Sequence, residues 1–180
     1  MKTFKSIVLS KHPVEPLWLL VRDQMPALAT SLDDIERVTV VERRQGPRGR
    51  VRLVNEWCAK PHLPIPLKPV IGSDSFIWLD HAEWIEAEKR CAWRIEPRFL
   101  PGRIQCQGST QYAAAMGGRG ARITFEGELD VTPGPKAGAV RLLEQSIMPI
   151  VESVVTVMIP RNFRRIVEAA DRRLDAEARA

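Results

Sequence analysis

Hydrophobic and polar positions change period several times along the chain, and each change predicts an element. Phe4, Ser6 and Val8 alternate with Lys5, Ile7 and Leu9, a mixed strand signal. Pro13 follows where a first helical turn tolerates proline, and Val14, Leu17, Trp18 and Val21 then take the i, i+3, i+4, i+7 spacing of one buried helical face. Pro26 breaks that helix, and MPALATSLDD predicts a second short one. From Ile35 the period becomes two, with Val38 and Val40 on one face and Thr39 and Val41 on the other. QGPRG predicts a turn. Beyond it Val51, Leu53, Asn55 and Trp57 share one face, while Arg50, Arg52 and Glu56 share the opposite one. A hairpin with one dry and one wet side predicts an antiparallel sheet.

Pro61, Pro64, Pro66 and Pro69 exclude a regular central strand across residues 59 to 72. Further strands are expected near 76 to 85, 90 to 97, 103 to 116 and 121 to 131. In the last, Ile123, Phe125, Gly127, Leu129 and Val131 alternate with Arg122, Thr124, Glu126, Glu128 and Asp130, and GGRG at 117 to 120 is the hairpin turn before it. After TPGPKAG, the residues Val140, Leu143, Ile147, Val151, Val154 and Met158 form one stripe of a long helix. Pro149 is expected to kink it, and Pro160 to break or restart it. Phe163, Ile166, Val167, Ala170 and Leu174 carry the stripe onward among many arginines.

Composition narrows the function classes. The chain has 180 residues, 44% apolar and 27% charged, which suits a single folded domain over 1–180, frayed only from about 176. MKTFKSIVLSKHPVEP is too interrupted for a signal peptide, and no stretch reaches the roughly 20 apolar residues of a membrane span. Cys58, Cys91 and Cys106 are an odd, scattered set that predicts neither a disulfide framework nor a zinc site. A reducing cytoplasm is the expected setting. The net charge of +5 permits attraction to phosphates or anionic lipid without requiring it.

A strand, two short helices, a run of antiparallel strands and a long C-terminal helix make up an order that resembles the helix-grip fold of the START-like (SRPBCC) superfamily. HPVEPLWLLVRD is similar to the first helix of many members. Within the superfamily, RRQGPRGRVRLVNEW followed by LPIPLKPVIG and a tryptophan-bearing strand is similar to the PRELI-like lipid-transfer branch. Lysines and asparagine segments characteristic of that branch are absent, so headgroup choice does not carry over. The resemblance implies an α+β fold in which a curved antiparallel sheet wraps a long C-terminal helix around one apolar cavity. It also implies binding, and transfer, of a lipid or other hydrophobic ligand. Some START-like relatives are cyclases or aromatases, which keeps an enzyme acting on a hydrophobic substrate as the alternative.

The candidate site follows. Trp57, Trp78, Trp84 and Trp93 lie on successive predicted strands, and two readings stay open for them, a pocket wall or ordinary core filling. The expected ligand-binding set is Asn55, Trp57, Trp78, Trp93, Tyr112, Phe125, Val151, Val154 and Met158. Asn55, Tyr112 and Asp80 are polar groups able to polarise a ligand, or structural groups satisfied by hydrogen bonds. The apolar loop residues Leu63, Ile65, Leu67, Val70 and Ile71 predict a lid, and Arg43, Arg44, Arg48 and Arg50, with few acidic neighbours in sequence, a membrane-docking tip. The arginines of the final helix are expected to pair at helical spacing with Glu168, Asp171 and Asp175. No cofactor or metal is expected, because Cys58 with His62 and His81 with Glu83 are incomplete ligand sets. No G-x-S-x-G turn, phosphate loop or dinucleotide fingerprint occurs, and nucleic-acid binding would need exposed aromatic platforms beside the basic groups.

Overall fold

Each strand predicted from a two-residue period joins one sheet. The computed structural model describes residues 1–60, 77–98, 102–132, 153 and 157–179. The elements are β1 (Lys2–Ser10), α1 (Val14–Asp23), α2 (Met25–Ala29), β2 (Ile35–Gln45), β3 (Arg50–Ala59), β4 (Ile77–Ile85), β5 (Arg90–Pro97), β6 (Ile104–Ala115), β7 (Gly120–Val131) and α3 (Ile159–Glu177). The strands lie in the order β1-β7-β6-β5-β4-β3-β2, every neighbouring pair antiparallel. Strands β2 to β7 form a meander, and β1 closes onto β7, so α1 and α2 must bridge the two edge strands. A curved seven-stranded antiparallel sheet with a long C-terminal helix is the helix-grip fold, class α+β.

The dry face follows the sequence periods. Val51, Leu53 and Asn55 on β3 and Ile123, Phe125 and Leu129 on β7 are buried, as are Leu17, Trp18 and Val21 on α1. On α3, Ile166, Val167 and Ala170 are buried, with Phe163 and Leu174 packed against the same core. Full burial of one such aliphatic side chain contributes about 1.5–3 kcal/mol.

Two local expectations are corrected, and one left between two outcomes is decided. The second helix ends at Ala29 instead of running to Asp34, because the hydroxyls of Thr30 and Ser31 donate to the carbonyls of Ala27 and Leu28 and close its last turn. A bulge between Val40 and Glu42 breaks the alternation of β2, and Val40 and Val41 are both outside, 40% and 53% exposed. Pro160 lies in the first turn of α3, where its missing N–H costs no helical hydrogen bond, so it opens this helix. The stripe expected at 140 to 156 lies outside the described residues except for Ser153, which is helical and exposed.

Polar contacts fix α3 against both ends of the N-terminal segment. The buried Ser10 hydroxyl donates to Asp171 Oδ1 at 2.5 Å, and Asp175 meets Lys11 at 2.6 Å and His12 Nε2 at 3.0 Å. Arg161 pairs with Asp34, and Arg165 with Asp33 at 2.5 Å. These cross-element partners replace the expected pairing with Asp171 and Asp175 along the helix, because packing on the sheet brings the loop after α2 and the end of β1 within reach.

Candidate functional site

Between the concave face of the sheet and the helices lies a cavity of about 100 Å³. Strand alternation delivers Leu53, Asn55 and Trp57 from β3, Trp78, Asp80, Ala82 and Trp84 from β4, and Cys91, Trp93 and Ile95 from β5. Thr110 and Tyr112 come from β6 and Phe125 from β7. Helix α1 adds Val21 and Arg22, and α3 adds Ile159, Asn162, Phe163 and Ile166, one face at i, i+3, i+4, i+7.

Two glycines shape this wall. The β5–β6, β6–β7 and β1–β7 registers set Trp93, Gly108, Gly127 and Phe4 in one row across four strands. A Cβ on Gly127 would stand 2.5 Å from Trp93 Cη2, and one on Gly108 would stand 2.6 Å from Trp93 Cζ2 and 2.1 Å from the Glu126 carbonyl oxygen. Glycine therefore lets the indole lie across both strands. The ring then stacks on Phe125 at 4.8 Å, and Phe125 stacks on Phe163 at 4.7 Å, which ties the sheet to α3. Trp57 and Trp78 face each other across β3 and β4 and stack at 5.9 Å with planes 9° apart.

Polar chemistry concentrates in the same place. Asn55 stands opposite Asp80 in the β3–β4 register, and Asn55 Nδ2 donates to Asp80 Oδ2 at 3.3 Å. The Trp57 indole N–H is turned toward the same carboxyl without meeting hydrogen-bond geometry. Asp80 lines the cavity, and burial pushes its carboxyl up to about 6 against the opposing pull of Asn55 and Trp57. Asn55 Oδ1, Trp57 Nε1, Trp84 Nε1, Trp93 Nε1, Tyr112 Oη and Asn162 Oδ1 are buried and meet no hydrogen-bond partner among the described residues. Leaving such a group without its hydrogen bond costs about 1–3 kcal/mol, so each of these six gains stability from any partner that reaches it. Trp18, by contrast, donates to Glu86 Oε2 at 2.8 Å.

Of the expected ligand-binding set, the structure brings together Asn55, Trp57, Trp78, Trp93, Tyr112 and Phe125. Met158 is buried but off the cavity wall, where Ile159 takes its place, and Val151 and Val154 lie outside the described residues. The expected lid residues Leu63, Ile65, Leu67, Val70 and Ile71 lie outside them too. Sequence reasoning missed Asn162 as a lining residue, although a polar residue between Ile159, Phe163 and Ile166 on one helical face is a readable signal. The arginines of the β2–β3 hairpin have more acidic company than their sequence neighbourhood implies. Arg43 pairs with Asp23 at 2.9 Å, Arg44 with Glu42 at 2.7 Å and Arg50 with Glu83 at 3.4 Å, while Arg48 occupies the turn with φ of 58°. Partners from α1 and β4 arrive only through the fold.

Burial pushes the Cys91 thiol well up and that of Cys106 up to about 12, which suits packing and opposes nucleophilic use. His81 pairs with Glu96 at 3.0 Å, Glu83 receives Arg52 at 3.2 Å, and no group of three metal-ligating side chains occurs among the described residues. No helix among them is long and apolar enough to cross a membrane.

No protein-family model matches the chain, and no curated protein matches it. Solved structures do. The chain is similar to TTHA0849 from Thermus thermophilus, with a TM-score of 0.64, 17% identity, and 98% and 99% of the two chains covered. It is similar to the ZhuI aromatase/cyclase from Streptomyces sp. R1128, with a TM-score of 0.61 and 12% identity over 96% and 95%. It is also similar to norcoclaurine synthase from Thalictrum flavum, with a TM-score of 0.56 and 11% identity over 96% and 86%. These likenesses establish the helix-grip fold.

Proposed function

We propose that this helix-grip protein binds a hydrophobic small molecule between α3 and the concave face of its sheet. The observation that carries this reading is the gathering of six unpartnered polar atoms on residues of one largely apolar, aromatic-walled cavity. Sites of this make-up bind by burying ring surface and select by a few polar groups. Native mass spectrometry of protein purified without detergent is expected to show a small-molecule adduct. The adduct should be absent from Ala82→Leu, which fills the cavity and should keep the wild-type circular dichroism. An adduct retained in that variant would move the ligand elsewhere.

Transfer of lipid, as in the PRELI-like branch, is the finer form of this reading. It is supported by the sequence of the proline-rich segment, with Arg43, Arg44, Arg48 and Arg50 as the contact with anionic membrane from the cytoplasmic side. A volume of about 100 Å³ suits a ring or a short alkyl segment better than a two-chain phospholipid. Replacing Ile65 and Leu67 with Ser tests the lid: slower lipid exchange between vesicles at unchanged melting temperature supports it. A lowered melting temperature with unchanged exchange refutes it.

A cyclase- or aromatase-like reaction is the second reading, and Asp80 favours it. A carboxyl raised to about 6, hydrogen-bonded by Asn55 in a cavity that Tyr112 also lines, suits general acid–base work on a bound substrate. Asp80→Asn would then abolish turnover while sparing binding; equal turnover would dismiss the role.

A further inference from the structure

We propose that the cavity selects an uncharged, planar ring compound presenting more acceptor oxygens, carbonyl or ether, than hydroxyls, and that Asp80 takes up a proton as this ligand enters. This inference rests on the cavity-binding reading above.

The hydrogen-bond balance comes first. The unpartnered donors are the indole N–H groups of Trp57, Trp84 and Trp93 and the Tyr112 hydroxyl, against two unpartnered acceptors, Asn55 Oδ1 and Asn162 Oδ1. An indole N–H only donates, so Trp84 and Trp93 require acceptors, and Trp57 requires a better-placed one than the Asp80 carboxyl toward which it is turned. The Asn55 amide is oriented by its donation to Asp80, which fixes its oxygen as the free end. Donors in excess on the protein match acceptors in excess on the ligand.

Charge excludes the alternatives. Among the described lining residues Arg22 is the cation, and it is already paired with Asp23 at 2.8 Å and Glu86 at 3.6 Å. An anionic ligand would therefore meet Asp80 without compensation. An ammonium ligand would pair with Asp80 but offers no acceptor to three indoles. A neutral acceptor-rich ligand satisfies the indoles, yet it faces a carboxylate that repels its oxygens and loses its remaining water. Protonation resolves both problems, because the acid form bears no charge and adds one more donor.

Among the described residues, the surroundings of Asp80 leave that proton to Asp80 itself. On β3 its neighbours are Asn55 and Trp57, neither of which titrates. His81 follows it on β4 and engages Glu96. Cys91 on β5, Cys106 on β6 and Tyr112 on β6 have their ionisation pushed to higher pH by burial. From α1 comes the paired Arg22, and α3 contributes Ile159, Asn162, Phe163 and Ile166, all uncharged. Flat stacks such as Trp57 on Trp78 and Trp93 on Phe125 set the preference for a planar ring.

Three naphthalene probes separate the charge classes: 2-acetylnaphthalene, 2-naphthylmethylamine and 2-naphthoate. Titration calorimetry at pH 5 and pH 7, in buffers of different ionisation enthalpy, reads affinity and proton uptake together. The ketone is expected to bind most tightly, about tenfold more tightly at pH 5 than at pH 7, because the acid form of a group titrating near 6 falls about tenfold over that interval. Near pH 7 it should take up close to one proton. Asp80→Asn, which mimics the acid form, should bind the ketone at pH 7 as tightly as wild type does at pH 5, with no proton uptake. Preferred binding of the amine, or ketone binding without pH dependence, overturns the inference and leaves cavity binding standing. Failure of all three probes with both proteins overturns the cavity reading and the inference together.

Discussion

Asp80 is the residue where burial and function pull hardest against each other. Its carboxyl is raised from 3.8 to about 6, so the folded state holds the proton more tightly than the unfolded chain does. The protein therefore loses stability as pH rises from about 4 to about 6, by up to about 3 kcal/mol, and the loss is complete above that range. Asp23, Asp33, Glu86 and Asp175 behave oppositely. Arg22, Arg165, Lys89 and Lys11 respectively hold them low, and their contribution disappears as pH falls through those depressed values. Comparison with Asp80→Asn cancels these shared groups. In urea unfolding, the variant is expected to gain on wild type progressively from pH 4 to pH 6 and to keep a constant advantage above it. A difference independent of pH would refute the assignment. The residue was visible in sequence as one polar position among apolar ones on a strand, but its perturbed ionisation was not. That depends on Asn55 standing opposite in register and on walls from three other strands.

At the scale of elements, the cavity depends on how β6 and β7 admit Trp93 and on how α3 is held. Gly108→Ala would push a methyl against the Glu126 carbonyl and the indole, both constrained by the sheet. Overpacking of this kind costs about 1–3 kcal/mol, and at Gly108 the upper end is expected in chemical denaturation, together with altered tryptophan fluorescence. An unchanged spectrum and midpoint would mean that the indole does not lie on these glycines. Helix α3 should depend more on Ser10 than on its exposed ion pairs. Ser10→Ala leaves Asp171 without its short hydrogen bond at a buried position and is expected to cost about 1–2 kcal/mol. Asp33→Asn, which breaks the exposed pair with Arg165, should cost less than Ser10→Ala, and less still in high salt. Reversal of that order would assign α3's anchoring to surface charge.

On the scale of the whole molecule, a ligand enclosed between sheet and helix stabilises every element that touches it. Occupancy at a hundredfold excess over Kd adds about 2.7 kcal/mol, which for a domain of this size raises the melting temperature by about 5–10 °C. Calorimetry before and after solvent extraction of detergent-free protein should register that difference if ligand is carried through purification. Equal transitions, followed by no shift on adding 2-acetylnaphthalene, would count against an occupied cavity. By itself the sequence determined the order of the described elements and most of their inner faces, because helix and strand periods are local properties of side-chain direction. Pro13, QGPRG and GGRG likewise marked element boundaries through backbone restrictions that need no distant partner. The helix-grip order was legible for the same reason. Tertiary structure alone decided that residues of five elements carrying six buried, unpartnered polar atoms line one cavity, that β2 bulges at Val40, and that Arg43, Arg50, Arg161 and Arg165 find acids on other elements. Each of these depends on register and on contacts between residues far apart in the chain, and a hydrophobic period carries no information about which distant residue will stand opposite.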